Sequence, residues 1–314
     1  MVKEKRVCLR DRDIEFIGFL GEYGSITNEN VKLFYQSEYY YKNRLASLAK
    51  GEIIERLYGK VVLGRKGKSY LNEKGLGYRN INRDETYKKR MERISDVSCK
   101  VHLSGWFFEP SWRCNINAFT QRGNRFIGVM SREKRLWKES DEDYYKRSYI
   151  VYFLHKEITP RELKYIDKEL DRNKNNFRGV VIFIEDEWLL NHPKFINISY
   201  CENYTILYQK EIWHIFENIS DTDYMKNRII DIFGENIDRV KGYKYEMYCI
   251  KGEDSYTYIF PMPFADFSIM DWTNYMVDSG IHSNIDYIVV CNDICLKEVR
   301  KFLKDKVEVI CLME

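Results

Sequence analysis

The feature that most constrains the fold is an alternation of short apolar runs with amphipathic runs after about residue 98. The runs "NRFIGVMS", "SYIVYFLHKE", "GVVIFIED" and "TILY" are rich in β-branched and aromatic residues and predict strands. Between them, "TPRELKYIDKELDRN" predicts a helix that Thr159 caps, with Pro160 first and Glu162 completing a capping box. The chain closes with a β-α-β run over "IDYIVVCN", "ICLKEVRKFLKD" and "KVEVICL". We therefore expect an α/β domain with a mixed sheet over residues 98–314.

A different pattern precedes this domain. Helical spacing predicts "RDRDIEFIGFLGEYG", then "NENVKLFYQ" after an N-cap at Thr27, then residues 38–50 after an N-cap at Ser37. Gly51 stands where a left-handed residue is expected to end the third helix. Two strand-like segments, 53–63 and 69–71, flank "GRKGK" and predict a hairpin with a basic turn.

Three helices followed by a basic-tipped hairpin are the elements of a winged helix-turn-helix domain. We assign this domain to residues 1–95, including a charged connector helix that ends at Ser95 and could also pair two protomers. The predicted fold class is α/β (α+β overall), with an N-terminal winged helix-turn-helix and a larger C-terminal α/β domain.

The third helix has two different faces. Tyr41, Leu45 and Leu48 share one face, which is the expected core side. Asparagine can pair with adenine, arginine with guanine, and tyrosine or serine with phosphate. The predicted DNA-binding residues are Ser37, Tyr39, Tyr40, Asn43, Arg44, Ser47 and Lys50 on the helix, and Arg65, Lys66 and Lys68 on the wing.

The charge distribution agrees with this assignment. Residues 1–93 contain 21 Lys and Arg against 13 Asp and Glu, a net charge of +8. The remaining 221 residues carry a net charge of −5, so the overall +3 conceals a basic N-terminal third. A basic domain on an acidic remainder indicates a polyanionic partner for the first domain.

The segments "RDRDIEFIGFLGEYGSITNENVKLFY", "YKNRLASLAKGEIIER" and "SYLNEKG" resemble the N-terminal domain of the replication-relaxation family of plasmid and mobile-element proteins. Arg12-Asp13 matches the opening of that family's first helix, and Arg44-Leu45 matches its recognition helix. The resemblance covers about a quarter of the chain and implies a role in replication, in transfer or in its regulation. It also implies a nuclease-like α/β domain after the winged helix.

The residues that such a nuclease requires are not evident. The nearest acidic groups are "HKE" at 155–157 and "EDE" at 185–187, and an Asp followed by a spaced Glu-x-Lys is missing. All five histidines are isolated, and there is no phosphate-binding glycine loop. We therefore predict no catalytic residue, metal ligand or cofactor. Two alternatives stay open: a transcriptional repressor with a C-terminal sensing domain, and a Mg²⁺-dependent nuclease that the winged helix targets.

The eight cysteines form no Cys-x-x-Cys pair. Cys99, His102 and Cys114 would supply three metal ligands with no evident fourth, so buried free thiols are the expectation. No apolar run has bilayer length and no signal peptide is evident, which predicts a cytoplasmic protein without a membrane partner. The expected partners are double-stranded DNA, a second copy of the chain and another replication or transfer protein.

Overall fold

The structure is a computed structural model that describes residues 7–35, 38–79, 84–115, 125–173, 175–186, 202–208, 224–240, 247–263, 265–279 and 284–312. The chain divides into two units, Met1–Leu103 and Ser104–Glu314. Helices and mixed sheets occur together, so the predicted α/β class is confirmed.

The first unit contains five helices and a small antiparallel sheet within its described residues. The elements in chain order are α1 (Asp11–Tyr23), β1 (Ser25–Thr27), α2 (Asn28–Tyr35), α3 (Glu38–Lys50), β2 (Ile54–Leu57), β3 (Lys60–Leu63), α4 (Arg65–Glu73) and α5 (Glu85–Leu103). The sheet has the order β1-β3-β2. The three predicted helices are confirmed, and the hydroxyl of Thr27 accepts the Asn30 N–H at 3.3 Å as the predicted N-cap.

The end of α3 differs from the prediction. Gly51 is not the left-handed residue; Glu52 is, with φ of 58°. The Ile53 N–H then reaches back to the Leu48 carbonyl at 3.0 Å, which satisfies one of the free carbonyls of the helix end. Gly51 has a packing role instead, because a Cβ there would lie 2.5 Å from the Val7 side chain.

The predicted position of the hairpin is wrong. Its turn lies at Tyr58-Gly59, where Gly59 has φ of 73° and Leu57 pairs with Lys60. Residues 65–73, predicted to hold the basic turn and a strand, form helix α4. Gly67 lies against the chain that follows α3, since a Cβ there would approach the Ile53 carbonyl oxygen to 2.2 Å.

Helix α5 belongs to the first unit along its whole length. The Ser95 hydroxyl donates to the Ser25 carbonyl at 2.6 Å, and the Ser98 hydroxyl donates to the Tyr23 hydroxyl at 2.9 Å. The Asn30 amide donates to the Asp96 carboxylate at 2.5 Å. The predicted boundary between residues 95 and 98 therefore falls inside a helix that packs on the first unit.

The described residues of the second unit form two five-stranded sheets. The first sheet has the order β4-β5-β6-β7-β8, and the second has the order β9-β10-β11-β12-β13. The strands are β4 (Phe107–Pro110), β5 (Gly128–Ser131), β6 (Tyr149–Leu154), β7 (Gly179–Ile184), β8 (Glu202–Leu207), β9 (Asp238–Arg239), β10 (Tyr248–Lys251), β11 (Tyr256–Met262), β12 (Ile285–Asn292) and β13 (Val307–Leu312). The helices described here are α6 (Asp141–Lys146), α7 (Pro160–Asn173), α8 (Tyr224–Phe233), α9 (Phe267–Ser279) and α10 (Asp293–Phe302).

The two sheets have the same architecture. In each, three antiparallel strands are followed by a helix and then by two strands added in parallel. Residues 132–148, which include α6, connect β5 to β6, whereas residues 252–255 alone connect the equivalent β10 and β11. The predicted capping box of α7 is confirmed, because the Thr159 N–H donates to the Glu162 carboxylate at 3.0 Å and the Glu162 N–H donates to the Thr159 hydroxyl at 3.2 Å.

Candidate nucleic-acid interface

Helix α3 carries an exposed stripe along one side. Tyr39, Lys42, Asn43, Ala46 and Lys50 are all exposed, and Tyr39 keeps 87% of its surface accessible. Their spacing of three or four residues places them on one face of the helix. At about 1.5 Å per residue the stripe is roughly 17 Å long, and its fourth residue, Ala46, has only a methyl side chain.

The opposite face of α3 fixes this orientation. Leu45 and Leu48 are buried in the core of the first unit together with Phe16, Leu20 and Val61. Burying each of these leucines contributes roughly 1.5–3 kcal/mol, so the helix cannot turn without exposing them. The polar stripe is therefore held outward by the core.

Arg44 is not on the stripe, and the prediction that it faces outward is wrong. Its guanidinium contacts the Asp13 carboxylate through two hydrogen bonds, Nε–Oδ1 at 2.9 Å and Nη2–Oδ2 at 2.5 Å. Nη2 also donates to the Cys8 carbonyl at 2.6 Å. Only 12% of the Arg44 side chain and 1% of the Asp13 side chain are exposed, so this ion pair lies inside the unit.

Asp13 accepts hydrogen bonds from three sides. Besides Arg44, the Tyr35 hydroxyl donates to it at 3.0 Å and the Arg10 backbone N–H at 2.7 Å. Burial by itself would raise the pKa of Asp13, but the bonds from Arg44, Arg10 and Tyr35 outweigh burial and lower the pKa below its ordinary value. The carboxylate thus stays ionised at neutral pH and ties α1 to α2 and α3.

The other predicted helix residues divide into two groups. Tyr40 is half-buried. Its ring centre lies 5.9 Å from that of Tyr35, and its hydroxyl accepts a hydrogen bond from Arg10 at 2.7 Å. Ser47 is also half-buried, while Tyr39, Asn43 and Lys50 are exposed as predicted. Ser37 lies outside the described residues. The stripe also contains Lys42 and Ala46, which the sequence analysis missed although they repeat at the helical spacing of Tyr39, Asn43 and Lys50.

The tip of the hairpin is aromatic. Tyr58 is fully exposed, and Leu57 and Arg56 beside it are also exposed. Lys60, at the other side of the turn, forms an ion pair with Glu92 of α5. The predicted basic tip is therefore replaced by a tyrosine, with one arginine next to it.

The three predicted wing residues lie on the first turn of α4. Arg65 pairs with the Glu52 carboxylate at 2.5 Å, and its guanidinium lowers the pKa of that carboxyl. The Lys68 ammonium lies 5.9 Å from the centre of the Tyr78 ring, and Lys66 is half-buried. These residues remain basic, but they do not form a hairpin tip.

The acidic groups considered for metal binding lie in the second unit. Glu157 and Asp186 are both exposed, in the turns that follow β6 and β7, and the Lys156 N–H donates to the Glu185 carboxylate at 3.0 Å. Glu187 lies outside the described residues. Over the part of the chain that the structure describes, no three His, Cys, Asp or Glu side chains form a group that could hold a metal ion.

The seven cysteines among the described residues are free thiols. Burial raises the pKa of Cys99 well above its usual value, and it also raises the pKa of Cys114, which is partly buried. His102 is exposed on α5. Within the described residues, no helix combines the length and the apolar character needed to cross a bilayer.

Comparison with known proteins yields no relative: no protein-family model, no curated protein and no solved structure matches this chain. The resemblance to the replication-relaxation family therefore stays a prediction from the quoted motifs.

Proposed function

We propose that this protein binds double-stranded DNA with sequence preference, and that helix α3 lies in the major groove. The observation that carries the proposal is the exposed stripe of Tyr39, Lys42, Asn43, Ala46 and Lys50 on a helix whose other face is locked into the core. A helix that follows two others and precedes a β-hairpin is the groove-reading element of winged helix-turn-helix proteins. The net charge of +8 over residues 1–93 supports the same partner.

Each residue of the stripe suits a different part of a duplex. The Asn43 amide can form two hydrogen bonds with the major-groove edge of adenine. Lys42 and Lys50 have the reach and charge to contact phosphates on either side, and Tyr39 can donate to a phosphate or a sugar. Ala46 lets the helix backbone approach the base edges closely, because its side chain ends at Cβ. Tyr58 at the hairpin tip supplies one more hydroxyl for the neighbouring backbone.

Base preference is expected to depend on Asn43. Replacing it by Ala should weaken binding to the preferred duplex by roughly 1–3 kcal/mol, with little loss on other duplexes, because only the base contact disappears. The preferred duplex is first selected from a random pool with the wild-type chain. The matched control is Asn72→Ala, an exposed asparagine on α4. Equal loss on preferred and scrambled duplexes would place Asn43 outside the groove.

Non-specific affinity is expected to depend on Lys42 and Lys50. Replacing both by Ala should lower the slope of log K against log salt by about 1 for each phosphate contact removed. The weakening should be similar for every duplex sequence. Lys164→Ala, an exposed lysine on α7 of the second unit, is the control. A salt slope that matches the wild type in the double variant would show that neither lysine contacts phosphate.

The proposal extends to two copies on one target. A single domain of this size offers few phosphate contacts. In a dimer, binding of one domain to DNA raises the effective concentration of the other domain at the neighbouring site. A two-fold dimer would require inverted half-sites. Light scattering of the full chain on the selected duplex measures the number of protein copies bound per duplex. One copy per duplex at micromolar concentration would exclude the dimer. The motif resemblance supports a target on a plasmid or mobile element, where the protein would act in replication or transfer or in its regulation.

A further inference from the structure

The loop of residues 132–139 in the second unit, hereafter the Trp137 loop, exposes two large apolar side chains side by side. Trp137 keeps 98% of its surface accessible and Leu136 keeps 70%. The loop belongs to the connection between β5 and β6. The equivalent strands β10 and β11 of the second sheet are joined by residues 252–255 alone, so the architecture does not require the longer connection.

The Trp137 loop is held rigidly although its tip is exposed. Arg147 donates to both oxygens of the Glu139 carboxylate, at 2.6 and 2.7 Å, and to the backbone carbonyls of Glu133 and Lys134 at 3.2 Å. The Glu139 carboxylate in turn accepts the Leu136 N–H at 3.0 Å. Arg147 lowers the pKa of Glu139 to about 2, so this clamp persists at neutral pH. A clamped loop loses little conformational entropy when a ligand binds.

The charge left on the loop is positive. Residues 132–139 contain four Lys and Arg against two Glu, a net charge of +2. The carboxylates of Glu139 and Asp141 are paired with Arg147 and Arg135, and the exposed Glu133 lies 3.6 Å from the same Arg147. Lys134 and Lys138 flank the exposed pair of side chains, and among the residues described neither has an acidic partner. An exposed indole between two lysines is complementary to a ligand with a flat ring and a negative backbone.

We infer that the Trp137 loop binds single-stranded nucleic acid, with a base stacked on Trp137 and the neighbouring phosphates near Lys134 and Lys138. Single-strand binding surfaces combine aromatic rings with positive charge in this way, and each stacked base contributes substantially to affinity. A protein partner is less consistent with the loop, because lysines are depleted at the centres of protein interfaces. The Trp137 loop belongs to the second unit and α3 to the first, and the inference does not depend on the proposed duplex binding.

The test measures binding of the full chain to a short oligothymidylate and, in parallel, to a duplex. Trp137→Ala should weaken oligothymidylate binding by roughly 5- to 150-fold and leave duplex binding unchanged. Trp137→Phe should keep most of the affinity but lose the quenching of tryptophan emission on binding. Tyr275→Ala, an exposed aromatic on α9, is the matched control. Because Trp137 is almost fully exposed, its replacement leaves the core intact.

Two results would overturn the inference. One is an unchanged oligothymidylate affinity in Trp137→Ala, whether or not that variant loses a protein contact. The other is an oligothymidylate affinity that falls with Asn43→Ala and not with Trp137→Ala, which would assign single-strand binding to α3. Loss of duplex binding in Asn43→Ala with intact oligothymidylate binding would support two separate sites. If the wild type does not bind duplex DNA but binds oligothymidylate through Trp137, the function proposed for α3 is wrong and the inference about the Trp137 loop is supported.

Discussion

Replacing Asp13 by Asn is expected to destabilise the first unit by about 3–5 kcal/mol, the largest effect that we expect from a single substitution. The change preserves the shape of the side chain but leaves the guanidinium of Arg44 without its charged partner inside the unit. Hydrogen exchange measured on peptides of α1 and α3 should therefore accelerate by roughly two to four powers of ten. Peptides of the second unit serve as the internal reference.

The pair of variants Asp13→Asn and Arg44→Met separates a broken ion pair from a general loss of packing. If the ion pair carries the effect, the double variant should be less destabilised than the sum of the single variants, because no unpaired charge remains buried. If Asp13→Asn protects the amides of α1 and α3 from exchange as well as the wild type does, the network does not stabilise the first unit. The structure also predicts that Arg44→Met changes stability and leaves base preference intact.

The same network has a defined pH dependence. The pKa of Asp13 is lower in the folded chain than its ordinary value, so its contribution is fully present above the unfolded pKa, which is about 3.9. That contribution is lost as the pH falls through the lower folded pKa. The wild-type first unit should thus lose protection in acid more steeply than Asp13→Asn, which cannot titrate at this position.

Replacing Gly67 by Ala is expected to destabilise the first unit by roughly 3 kcal/mol, at the upper end of overpacking effects. The added methyl would lie 2.2 Å from the carbonyl oxygen of Ile53 and 3.2 Å from its carbonyl carbon, and backbone atoms cannot rotate away as a side chain can. Helix α4 would have to shift away from the end of α3. Exchange at peptides covering residues 52–73 reports this movement.

Gly18→Ala is the matched control, since Gly18 also lies in a helix but has no atom within 4 Å of an added Cβ. Alanine there should stabilise α1 by roughly 0.5–1 kcal/mol, because it is the better helix former. The two glycine-to-alanine changes are thus expected to have opposite signs. Full protection of residues 52–73 in Gly67→Ala would contradict the close packing of α4 and favour the turn predicted from the sequence.

Local patterns explain which elements could be predicted. Helices α1, α2 and α3, the capping box of α7 and the strands β6 and β7 all depend on residues close together in the chain. Periodicity and capping chemistry report such elements directly. The core face of α3 was predictable for the same reason, because Leu45 and Leu48 repeat at helical spacing.

The wrong predictions have two causes. Some side chains pair with a residue that is distant in sequence, and glycine serves two different structural roles. Arg44 follows two exposed residues, Lys42 and Asn43, but its partner Asp13 lies 31 residues earlier and no periodicity connects them. Glycines at 64 and 67 were interpreted as turn residues, whereas both are required where α4 lies against the Glu52–Ile53 backbone. A tight turn and a close approach between two backbone segments both favour glycine, so a single sequence does not distinguish these two roles.

The contacts of α5 determine where the chain can be divided. A fragment that stops at residue 95 would end in mid-helix and remove Val97 and Val101, both fully buried, together with the Ser98–Tyr23 bond. A fragment that ends after Leu103 retains these groups and coincides with the end of the first unit. Protease cleavage that releases a stable first unit should accordingly occur beyond residue 103, and shortening the fragment by two turns should leave a product that aggregates.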